Sequence, residues 1–270
     1  MFNSKVFVAE LIGTFAFVFV GAYSAIYSGG QDLLIVALGH GLTLAVFVYA
    51  FGHISGTHVN PAVTFGLALQ GVVDWGKAVV SYWIPQFLGA IGAAFMVKTF
   101  VSPLSAEAAN GMATIGALNE AYPYHALGLE VILTFFLMNT ILHTVVSGKG
   151  GMFSGLAIGM TYTIGFLAGG PLTGASMNPV RTFGPAVFTG SWNDPMTYMI
   201  YFLGPLFGAT IAVLVYQFLT KEDEGLDEYE VEEAEEIEEE PKPAKKPVAR
   251  KTTSRKSTVP KTTTRKTTKK

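Results

Sequence analysis

The chain has 270 residues, half of them hydrophobic, and no cysteine, which excludes disulfides and thiolate metal sites. Its formal net charge of −2 averages two unlike stretches: residues 1–220 hold 12 charged side chains and residues 221–270 hold 26. Long apolar runs with so few charges exclude an ordinary soluble core over the first stretch and point to a membrane domain with several spans.

A spanning helix needs about 20 mostly apolar residues. The first such segment, 5–27, begins almost at Met1 with no clear cleavage site, so it reads as a retained helix and not a signal peptide. Glu10 lies inside it, where a carboxylate is costly unless it accepts hydrogen bonds. The second span, 33–52, contains His40. A lone histidine in a helix is more often a packed core residue than a functional one. Residues 53–66 then read HISGTHVNPAVTFG and lead into an apolar stretch, about 60–70, that is too short to span. Eleven helical residues reach only about 16 Å of a core about 30 Å thick. The stretch opens with Asn60-Pro61, a favoured N-cap followed by a favoured first helical residue. The third span is 78–100, and the fourth, 125–147, carries Glu130 in its interior. The fifth, 153–170, contains Phe166, which composition alone leaves as a core or lipid-facing aromatic. Residues 171–184 read PLTGASMNPVRTFG and open a second short stretch, about 178–188, with Asn178-Pro179. Arg181, the only arginine in the first 249 residues, lies three residues into it. A charge at membrane depth costs at least about 2.5–3.5 kcal/mol on insertion scales, which makes Arg181 a functional candidate; the alternative is a buried arginine tied to loop carbonyls. The sixth span is 196–219.

Six spans put both termini on one side. That side carries Lys5, Lys77, Lys149 and Lys221, whereas the other carries Asp32, Glu107, Glu120 and Asp194 with Lys98 as its one basic residue. The positive-inside rule places both termini in the cytoplasm. Residues 1–220 thus form one membrane domain, and 221–270 form a cytoplasmic tail. The tail has 13 acidic side chains over 222–240 and 12 basic ones over 242–270, blocks that bury no apolar area and are expected to be disordered. The basic block could rest on anionic lipid or fold back on the acidic one, or the whole tail could be solvated without a partner.

The chain repeats itself. A shift of 118 superposes Gly56 on Gly174, Asn60-Pro61 on Asn178-Pro179 and Thr64-Phe65-Gly66 on Thr182-Phe183-Gly184. A shift of 120 superposes Glu10, Thr14 and Phe15 on Glu130, Thr134 and Phe135. The repeats, roughly 5–100 and 125–219, each hold three spans, so the second is inverted. The two short helices then meet end to end near the midplane, each beginning at its asparagine. A capping asparagine uses its side-chain oxygen on a backbone N–H and keeps its NH₂ for donation. Two such donors could hold the oxygen of a passing water, while the two helix N-termini oppose cations and protons.

SGTHVNPAVT and TGASMNPVRTFGPA resemble the two signature loops of the aquaporin (major intrinsic protein) family, and the likeness extends over residues 5–219. One departure is Val180, where the family usually has alanine. The resemblance implies an all-α membrane protein of six spans and two half-helices in an inverted repeat. It implies a tetramer in the cell membrane that passes water and blocks ions and protons, with Asn60 and Asn178 at the pore centre. It makes Arg181 the filter arginine. Counting from the two asparagines adds His40, Phe166 and Ala175 to the filter ring. Histidine at the first of these positions resembles the plant tonoplast type, and phenylalanine at the second is unusual for that type. Thr182, Ala186 and the pair Tyr201-Phe202 look like the water-channel pattern, not the glycerol one. Glu10 and Glu130 would brace the loop backbones, with Pro61 and Pro179 starting the half-helices. No cofactor, metal or catalytic residue is implied.

Four other readings compete. A broader pore that also passes ammonia is motivated by His40, although residues 101–124 contain no histidine. A secondary transporter also uses inverted repeats, but Glu10 and Glu130 are its only acidic candidates for coupling. An enzyme is disfavoured by the lack of a nucleophile–base or metal set, and a retinal protein by the lack of lysine in 196–219.

Overall fold

The computed structural model describes residues 2–29, 32–105, 107–191 and 194–221; the charged tail lies outside the described residues. Among the described residues, six helices are long and apolar enough to cross a membrane: α1 (Ser4–Tyr27), α2 (Leu33–Ser55), α4 (Trp75–Val101), α5 (Pro123–Val146), α6 (Gly151–Thr173) and α8 (Pro195–Leu219). Two short ones, α3 (Pro61–Leu69) and α7 (Pro179–Thr189), sit between the second and third spans of each half. At 1.5 Å per residue they measure about 14 and 17 Å, too short to span.

The helix ends are written in local chemistry. Asn3, Asp32 and Asp194 cap α1, α2 and α8 through side-chain oxygens that accept from the first free backbone N–H groups. Gly56 and Gly174 end α2 and α6 in the left-handed region, with φ of 84° and 75°. There the chain turns back into the membrane, a reversal that a side chain would resist.

Packing repeats the sequence symmetry. α1 lies on α2 and α4 as α5 lies on α6 and α8, and α2 crosses α6 at the junction of the halves. Each half-helix packs on the third span of the other repeat, α3 on α8 and α7 on α4. The α2–α6 crossing is close because Gly41 and Gly159 face each other across it: a Cβ at Gly41 would lie 2.5 Å from the Gly159 carbonyl oxygen. Turns of π-helix at Ala78–Trp83 in α4 and Met199–Leu203 in α8 carry the buried Tyr82 and Tyr201.

On the side opposite the N-terminus, residues 107–122 fold back over the bundle. They contain a 3₁₀ turn at Ala108–Met112, and Ala117 N–H donates to the Pro171 carbonyl at 3.0 Å. Lys98 donates to the Phe188 carbonyl in the last turn of α7 at 3.0 Å. A cation beside the C-terminal end of a helix dipole is favourably placed.

Candidate functional site

The two loops that precede α3 and α7 share one unusual backbone. Thr57 and Val59 have φ of 50° and 43°; Ala175 and Met177, at a shift of 118, have 42° and 49°. Such conformations cost of order 1–3 kcal/mol each and persist only where the surroundings over-determine them. The buried carboxyls provide that determination. Glu10 accepts from Ser55 Oγ (2.6 Å), His58 N (2.9 Å), Val59 N (2.7 Å) and Gln86 Nε2 (2.8 Å). Glu130 accepts from Thr173 Oγ1 (2.7 Å), Ser176 N (2.9 Å) and Met177 N (2.7 Å). Each carboxyl collects the N–H groups of the two residues before the asparagine, so its side chain replaces the partners that a sheet or helix would supply. Tyr82 and Tyr201 finish the job from the other direction by donating to the Ser55 and Thr173 carbonyls at 2.9 and 2.5 Å.

Asn60 Oδ1 accepts from Ala62 N at 2.9 Å, and Asn178 Oδ1 accepts from Val180 N at 3.1 Å, so both are N-caps. Pro61 and Pro179 follow as the first helical residues. The amide groups cross between the repeats. Asn60 Nδ2 donates to the Met177 carbonyl at 2.7 Å, and Asn178 Nδ2 donates to the Val59 carbonyl at 2.9 Å. The sequence leaves both N–H bonds of each amide free; in the structure one is used on the opposite loop and one remains.

A cavity of about 380 Å³ runs from Lys77 on the inner side, that of the N-terminus, to Asn60 and Asn178, walled by Phe17, Ile158 and Tyr162 among others. Tyr162 donates through its hydroxyl to the Ser176 carbonyl. It lies one helical turn from Phe166, so the face counted from Phe166 extends to it.

Three of the four counted ring residues meet. Arg181 is 7% exposed; its Nε–H donates to His40 Nε2 at 3.2 Å and its guanidinium carbon lies 5.4 Å from the Phe166 ring centre. Because arginine can only donate, His40 Nε2 is the acceptor and Nδ1 carries the proton, which goes to the Val36 carbonyl at 2.9 Å. His40 and Phe166 do not face one another across an opening. Their rings stack on one another at 4.9 Å and 24°. Ala175 is buried on the loop three residues before Asn178, its backbone N–H donating to Thr173 Oγ1 at 3.2 Å. Thr114 is a partner that no spacing predicts: Arg181 Nη1 donates to its Oγ1 at 2.5 Å from the loop folded over the outer side. Val180 is fully buried, its extra methyls relative to alanine absorbed where the half-helices meet. His58 stacks on Tyr82 at 4.2 Å and meets Thr64 Oγ1 at 3.0 Å, a packed loop residue beside the inner cavity.

Comparison with known proteins bears on the family and the fold. A family model described as major intrinsic protein matches residues 1–216. Aquaporin TIP1-2 of Zea mays is 40% identical over 229 residues, covering 80% of this chain and 86% of the relative. Aquaporin TIP2-1 of Arabidopsis thaliana is 37% identical over 224 residues, covering 78% and 86%. Among solved structures, the aquaglyceroporin from Plasmodium falciparum superposes with a TM-score of 0.66 at 25% identity, covering 84% of this chain and 99% of that one.

Proposed function

We infer the function from one premise: the chain belongs to the major intrinsic protein (aquaporin) family, a family of membrane channels and not of enzymes. The finer reading is a passive water channel that excludes ions, protons and glycerol. The crossed Asn60–Asn178 pair carries it. Two helix N-termini and two remaining amide N–H groups converge at one point of the bundle, where they favour a water oxygen and oppose a cation. Arg181 adds a fixed positive charge beside that point, with His40, Phe166 and Thr114 around it and Ala175 on the adjoining loop. Glu10 and Glu130 hold the loops and are not a proton relay. Residues 1–220 are the channel domain, assembled as a homotetramer with both termini cytoplasmic. The basic loops set sidedness but not the choice of bilayer, and the similarity to TIP aquaporins argues against the cell membrane as the address.

The test is stopped-flow light scattering on proteoliposomes of the full chain. Water efflux should be fast, with an activation energy near that of bulk water diffusion, and a pH gradient should drive no current. A proton current through the purified protein sinks the reading. A broader pore passing ammonia is the second reading, favoured by His40 and Phe166 stacking on one another and so not standing on opposite sides of an opening. Alkalinisation of the same vesicles by an ammonium gradient, faster than in empty liposomes, would establish it.

A further inference from the structure

His40 is held on several sides. Phe17 meets its ring edge-on at 5.4 Å, and the rings of Phe166 and Tyr162 lie nearly parallel to it at 4.9 and 5.9 Å. On the α1 side stands Gly21. A methyl group there would lie 2.6 Å from Cδ2 and Cε1 of His40 and would overlap Nε2, the atom that accepts from Arg181. Real Cβ atoms do not come so close to ring atoms, so the ring would have to move.

The two repeats differ at this pair. By the shifts that align them, Gly21 corresponds to Ile141 and His40 to Ile158. Both isoleucines line the inner cavity. Gly21 and His40 instead line a small separate cavity that reaches Arg181, Val18, Ala22 and Pro185. Two branched side chains in one half are thus exchanged for a large polar ring and no side chain in the other.

We propose that Gly21 is a positioning residue of the Arg181 filter: its missing side chain is the recess that seats the His40 imidazole with Nε2 against Arg181. The proposal rests on the filter reading given above. With a methyl in the recess, the imidazole leaves Arg181 and moves toward Phe166 and the other ring residues.

The experiment compares wild type, Gly21→Ala, His40→Ala and the double variant as full chains in proteoliposomes, normalised to folded protein. Gly21→Ala should lower water permeability by roughly threefold or more, within the range of coupling between touching residues, and should keep glycerol excluded. It should shift the ¹⁵N resonance of His40 Nε2. Alanine is the better helix former, so a loss cannot come from α1 itself. In the His40→Ala background the same substitution should have no effect. If Gly21→Ala alone fails to fold, recovery of folded protein in the double variant shows that the methyl and the imidazole compete for the recess, and no recovery overturns the proposal. Wild-type flux in Gly21→Ala, or an equal loss with and without His40, overturns it as well. His40→Ala leaving both flux and solute cut-off unchanged would instead sink the filter reading.

Discussion

At the scale of residues, the candidate site is built from a few polar atoms, most of them already engaged. Arg181 Nε and Nη1 are committed to His40 and Thr114 while the guanidinium lies against Phe166. Glycerol has a carbon backbone and needs both width and an apolar wall. Phe166→Ala and His40→Ala each remove a ring from this cluster, so both should admit glycerol while keeping water flux. Glycerol uptake into the same vesicles for wild type and the two variants decides it. Wild-type uptake at the rate of a dedicated glycerol channel, or no change in either variant, rejects the ring. The meeting of His40, Phe166 and Arg181 could be anticipated because the spacings that the family resemblance supplies lead from the two asparagines to all three. Thr114 could not, because it lies 67 residues from Arg181 in a loop without periodicity. Nor could the second use of each asparagine: capping is a local rule, whereas the bond to the opposite loop needs the folded partner.

At the scale of elements, six spans and two half-helices follow from hydropathy and length, and the span limits agree within a few residues of the structure. What the pattern hides are the π turns that aim Tyr82 and Tyr201 at the loops, since one extra residue in a turn leaves no compositional trace. The α2–α6 crossing depends on Gly41 and Gly159, where small residues let backbones touch. Gly159→Val would force branched methyls into α2, where even a Cβ would lie 2.7 Å from Ala45 Cβ. We expect a loss of about 1–3 kcal/mol or more in stability, read as a lower unfolding temperature in detergent. Gly128→Ala, where nothing stands within 4 Å, should leave that temperature unchanged or slightly higher. Equal effects at the two glycines would mean that the crossing is not the tight contact.

At the scale of the molecule, the charge map separates a channel from a tail that the repeat does not include. We predict that a chain ending at Thr220 still assembles and conducts at the full-length rate per folded tetramer. Loss of flux in correctly assembled truncated protein would make the tail a gate. The inverted repeat was legible in the sequence because its loops are nearly copies; the same shifts exchange Gly21 and His40 for two isoleucines, but only the structure shows that Gly21 and His40 touch. The crossed amides also put the halves on a clock. Residue 60 leaves the ribosome 118 residues before its partner, an interval of roughly 6–24 s at ordinary synthesis rates. Throughout it the Val59 carbonyl and the Asn60 amide lack the atoms that satisfy them in the finished fold, and unpaired polar groups are unfavourable in hydrocarbon. The first loop is therefore a provisional structure until synthesis passes residue 178, and a half-made chain has no finished hole to leak through.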